Sequence, residues 1–176
     1  MKALLQTSAV VILASAVSSS AFAYEDQLGV TVTLGYSGIF GDTRLPPHGA
    51  SAGVGISYGL GDTWELRGRA DYTFFFTRAH RGALTADLVY LIDVLSFVPY
   101  VGLSVGGALS SVDADALAPS ELRGDLVVGA VVGGDIMLDR SWTLGFEIRP
   151  YVMPLHFASE PLNLAALLRV QRLIEL

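Results

Sequence analysis

Three side chains toward the C-terminal end carry the residue types of an acyl hydrolase. His156, Ser159 and Glu160 supply an imidazole base, a hydroxyl nucleophile and a carboxylate to orient the base. All three fall in one short run, His156-Phe157-Ala158-Ser159-Glu160. Triads are normally assembled from separate elements. This crowding reads instead as a polar connection.

Other polar stretches are less specific. His48 follows Pro46-Pro47 and reads as a loop histidine. Arg78, His80 and Arg81 form a short basic patch whose chemistry suits the phosphates of a lipid. Asp113, Asp115 and Glu121 bring together carboxylates, which are hard ligands for a divalent cation, but their spacing matches no cation-binding loop. No catalytic, cofactor-binding or metal-ligating residue is assigned on these patterns, and no cofactor is expected. The chain has no cysteine, which excludes a disulfide scaffold and thiol chemistry.

A larger set of ionisable residues recurs at alternate positions. It comprises Glu65, Arg67, Arg69, Asp71, Asp87, Arg123, Asp125, Asp135, Glu147, Arg149, Arg169 and Glu175. Mixed signs on one face point to a salt-bridged interior, with Arg67, Arg69, Arg123 and Arg149 drawn to Glu65, Asp71, Asp125 and Glu147. A hydrated version of the same residues would make a narrow ion path.

The elements that position these charges are strands. Trp64, Leu66, Gly68, Ala70, Tyr72, Phe74 and Phe76 share one face; Glu65, Arg67, Arg69, Asp71 and Thr73 share the other. The same period of two runs through 28–36, 52–60, 84–92, 99–106, 122–134, 142–152 and 164–176. The sixth run is less clean, because Val127 and Val131 sit on its polar side. Eight strands follow, each of the length that crosses a membrane at a tilt.

Composition selects the solvent. The 176 residues are 52% hydrophobic and 16% charged, with a net charge of -6 and a mean hydropathy of +0.51. A soluble barrel needs a charged exterior on nearly every strand, yet strands one and two offer only glycine, threonine and serine opposite their apolar faces. An exterior facing lipid and a polar interior fit better, and in lipid the sheet must close so that every backbone group is paired. An acidic chain is also a poor nucleic-acid binder.

Residues 1–23 read as a cleaved signal peptide. Lys2 is basic, an apolar stretch centres on Val10–Leu13, and Ala21-Phe22-Ala23 has the small-x-small pattern of a cleavage site. Residues 24–176 then form the barrel domain. Gly61–Thr63, Asp93–Ser96 and Leu138–Ser141 are short connections; Gly38–Gly49, Thr77–Gly82, Leu109–Glu121 and Pro154–Pro161 are longer. Small exported barrels keep short turns on the periplasmic side and longer loops outside. Trp64 and Trp142 then mark one membrane interface, and Tyr72, Phe74 and Phe76 the other.

Over 24–176 the chain resembles the small eight-stranded outer-membrane barrels, the family of the OmpA transmembrane domain and OmpX-like proteins. The resemblance is carried by FVPYVGLSVGG at 97–107, LDRSWTLGFEIR at 138–149 and the alternating C-terminal strand. Leu176 departs from the aromatic residue that usually ends such chains. The resemblance implies an all-β, eight-stranded antiparallel transmembrane β-barrel in the cell outer membrane. It implies a structural, adhesive or surface-interaction role. The partners expected are outer-membrane lipids and lipopolysaccharide, the outer-membrane assembly machinery and an extracellular molecule met by the loops. A narrow ion-conducting channel is the alternative. An outer-membrane lipid A-modifying hydrolase is a third reading, since such deacylases are similar in size and strand number. Their His-x-Ser arrangement, however, is not the spacing of His156 and Ser159.

Overall fold

The computed structural model describes residues 27–40, 48–76, 79–92, 97–112, 121–156 and 162–175. The stretch 1–23, expected to be a signal peptide, lies outside them. Eight strands run in chain order: β1 (Gln27–Phe40), β2 (His48–Gly59), β3 (Trp64–Phe75), β4 (Ala79–Leu91), β5 (Phe97–Val112), β6 (Glu121–Met137), β7 (Trp142–Val152) and β8 (Leu162–Glu175). Each pairs antiparallel with its neighbour in sequence. β8 closes on β1, with Leu28 opposite Ile174 and Phe40 opposite Leu162. The result is an all-β, eight-stranded antiparallel closed barrel.

Alternating side chains become two walls. In β3 the even positions, Trp64 through Phe74, lie outside and mostly exposed; Glu65, Arg67, Arg69 and Thr73 lie inside and buried. β1, β2 and β4 follow the same rule, with Leu34, Ile56 and Leu84 each more than 60% exposed. Large apolar side chains on the outer wall and charges within reverse the arrangement of a soluble domain.

Tight turns close one end. At 60–63, Leu60 N donates to Trp64 O at 2.8 Å. Gly61 adopts φ +126°, a backbone conformation that a side chain would strain. At 138–141, Asp139 Oδ1 accepts from Ser141 N at 2.7 Å and from Trp142 N at 2.9 Å, a side chain mimicking a turn.

Several strands extend beyond their sequence-read limits. At β4, which begins at Ala79, the connection expected over Thr77–Gly82 shrinks to residues 76–78. The pairing Phe74↔His80 and Tyr72↔Gly82 continues the β3–β4 ladder almost to its tip. Gly82, expected to end that connection, is a ladder residue.

Close packing explains two interior glycines. A Cβ at Gly133 would strike the ring of Tyr100, and one at Gly145 would strike the carboxylate of Asp135. Both glycines make room in a narrow barrel for a large neighbour.

Candidate functional site

The interior is layered. Near the end with tight turns, Val89, Leu91, Val98, Tyr100, Val131 and Leu173 form a buried apolar cluster, with Met137 packed against it. Val131, which broke the parity of the sixth strand in the sequence, belongs to this seal. Val127 does the corresponding work higher up, with Ala108 and Met153.

Between these layers lies the charge network. Glu147 is its hub: it bonds Arg69, lies 3.4 Å from Arg149 and 3.8 Å from Arg67, and accepts from Tyr100 Oη at 3.2 Å. Arg149 grips Asp87 with two bonds of 2.8 Å and reaches Ser104 at 3.1 Å. Arg67 pairs with Glu65 at 2.6 Å and stacks over Tyr100 at 4.3 Å. Arg69 also pairs with Asp71 at 2.7 Å, and Arg169 with Asp135 at 3.0 Å. Gln171 links Arg169 to Ser57, 3.0 Å away, and so joins two parts of the network. Buried charges in a sheath of low dielectric need such multiple partners.

The expected interior set is therefore largely brought together. Arg123 and Asp125 pair more loosely, at 3.9 Å, with Arg123 one-third exposed. Glu175 is a correction: it keeps the inward parity, but it ends β8 and is exposed. The basic patch of Arg78, His80 and Arg81 is a second correction, because alternation splits it. Arg81 points inside, bonding Ser110 at 2.9 Å and Asn163 at 2.8 Å. His80 points outside against Tyr72 and Phe74, while Arg78 lies outside the described residues. Tyr100 and Gln171, which strand parity puts on the face opposite the apolar one, are interior as well, while Asn163, one residue before the eighth run, was missed. Extending the strand parity by a few residues would have found Arg81, which follows the register of Asp87.

Among the described residues, the space around the ion pairs includes two small cavities. One of about 40 Å³ lies above the ion pairs, lined by Ser37, Ser51, Thr73, Arg81 and Arg149 among others. The hydroxyls of Ser37, Ser51 and Thr73 form a chain with links of 2.6 and 2.7 Å. The other, about 10 Å³, sits among Arg67, Arg69, Glu147 and Arg169. These volumes accommodate a few water molecules and one, respectively. Neither is a solute pore.

The outer wall has aromatic rims. Trp64 packs edge-on against Tyr90 at 5.1 Å, near the tight turns. At the other end, His48 lies between Tyr36 and Phe76, at 6.1 and 5.8 Å. His48 thus begins a strand and joins an aromatic belt. Among the remaining sequence candidates, Pro154–His156 form a short 3-10 turn. Ser159, Glu160, Asp113 and Asp115 fall outside the described residues, and among the described residues no cluster of metal-ligating side chains occurs.

No protein-family model matches this sequence, and no curated protein matches it. Solved structures do. Neisserial surface protein A superposes with a TM-score of 0.65 at 12% identity, covering 83% of this chain and 94% of that one. This chain has the fold of the small outer-membrane barrels. The N-terminal β-barrel domain of Pseudomonas aeruginosa OprF gives 0.63 at 14% identity, with 85% and 98% covered. Ail, the attachment invasion locus protein of Yersinia pestis, gives 0.62 at 13% identity, with 85% and 99% covered. Identities this low establish the shared barrel and leave the activity to be argued from the chain's own residues.

Proposed function

We infer that this protein is an exported barrel of the cell outer membrane, sealed to solutes, whose longer loops meet molecules at the cell surface. The observation that carries this reading is the inverted barrel: an apolar, aromatic-rimmed outer wall around ion pairs and an apolar seal. Such a wall is stable only in lipid. The superposition on Neisserial surface protein A and on Ail, named for attachment and invasion, supports a surface-interaction role. The signal-like stretch at 1–23 supports export. Lipopolysaccharide and lipids of the outer membrane are the surroundings in this reading, and the assembly machinery is the route of insertion.

Fractionation of expressing cells, with heat-modifiable migration on gels, tests membrane insertion. Planar-bilayer recording tests the seal. A protein recovered in the soluble periplasmic fraction refutes the membrane assignment. Large, steady conductance from the folded chain refutes the sealed interior and favours the channel.

A further inference from the structure

We propose that Arg172 and Trp142 hold the phosphate of a membrane phospholipid on the outer wall, at the barrel end that carries the tight turns. The proposal rests on the membrane reading above. Outward positions of the strands are apolar, small, aromatic or imidazole. Among the described residues, Arg172 is the one formally charged side chain that the strands turn toward lipid.

Its position is specific. Arg172 lies opposite Val30 on β1 and opposite Trp142 on β7. Its guanidinium sits 5.8 Å from the Trp142 ring. Val170 and Ile174 flank it along β8, and both are exposed apolar side chains. The nearby carboxylate of Asp139 is engaged by the amides of Ser141 and Trp142. The ion pairs of the described residues use the interior arginines and none uses Arg172.

A guanidinium without a counter-charge on a lipid-facing wall is costly at the bilayer centre and cheap at its edge, falling from about 2–4 to about 0–1 kcal/mol. The wall itself supplies a measure of depth. From Leu162 to Arg172 β8 advances ten residues. At about 3.4 Å per residue and a tilt of about 35–45°, this spans about 24–28 Å. Barrels of this type have an apolar band of about 25 Å. Arg172 therefore stands one band-height from the opposite rim, at the level where phosphates lie. The Trp64–Tyr90 pair borders the same end. In a chain of net charge -6, a cation placed here complements the anionic headgroup. The planar guanidinium offers a phosphate two parallel donors, while Trp142 holds it from the side by cation–π attraction.

The test uses the full chain refolded into vesicles of phosphatidylglycerol, then extracted in mild detergent and weighed with its retained lipid by native mass spectrometry. Wild type and Arg172→Lys are expected to retain a phosphatidylglycerol molecule. Arg172→Gln is expected to lower that occupancy about tenfold, as loss of a charged hydrogen bond implies. Trp142→Leu should lower it about two- to fivefold. A parallel refolding into vesicles of an uncharged galactolipid separates phosphate capture from acyl-chain adhesion. Equal retention by Arg172→Gln, or equal retention of the galactolipid, overturns the proposal. Failure of wild type to give a heat-modifiable, inserted form in either vesicle instead overturns the membrane reading.

Discussion

Replacing Glu147 by Gln tests the logic of the interior. The side chain keeps its shape and loses its charge, while Arg67, Arg69 and Arg149 remain around it. At an effective dielectric of about 20, one unit charge about 4 Å from another is worth about 4 kcal/mol. Three such attractions are lost, but so is the cost of desolvating the carboxylate. Arg69 retains Asp71, and Arg149 retains the two bonds to Asp87. Arg67 retains Glu65 and the face of Tyr100. The net loss should therefore match that of breaking one buried pair, about 3–5 kcal/mol. Asp87→Asn should cost less, because Asp87 has one arginine partner and Arg149 also holds Glu147, Ser104 and Thr85. Reversible denaturant unfolding in phospholipid vesicles, followed by the fluorescence of Trp64 and Trp142, measures both. An unchanged m-value confirms that the loss is in stability rather than in the surface exposed on unfolding. If Glu147→Gln unfolds within about 1 kcal/mol of wild type, a surface-like value, the hub does not hold the network and the reasoning fails.

Three further outcomes follow from the walls and the seal. Leu84→Arg, at a 67% exposed position midway along β4, should destabilise the inserted protein by about 2–4 kcal/mol in the same assay; a neutral result would mean that this wall does not face lipid. Gly145→Ala should cost about 1–3 kcal/mol by pressing on the Asp135 carboxylate, and an equally stable variant would show that the carboxylate moves freely. The double variant Tyr100→Ala, Val131→Gly removes two members of the apolar seal. It should conduct in planar bilayers where wild type does not, since apolar constrictions block ions by excluding water.

Much of the architecture was legible in the chain because alternation is local. Each strand needs only its own residues to separate Val30, Val32 and Leu34 from Thr31 and Thr33. The apolar set and the glycine-rich polar set then choose between lipid and water. The failures were also local. The connection placed over Thr77–Gly82, with its basic cluster at 78–81, hid the parity that carries Arg81 inside. Glu175 kept its parity and lost its burial, because a strand end has no ring of neighbours around it. Val127 and Val131 looked like errors in a polar face until the interior proved to have apolar layers.

By itself the sequence determined the period of each strand, the two chemically different faces and a composition suited to lipid. The tertiary structure alone decided which charges meet. Arg149 finds Asp87 across 62 residues and Arg69 finds Glu147 across 78. Both meetings depend on the register of the strands and on the closure of β8 against β1. A period of two says which way a side chain points. It carries no information about its height in the barrel or about what stands across the lumen. Those follow only when the hydrogen-bonded ladder closes and brings distant strands to one interior.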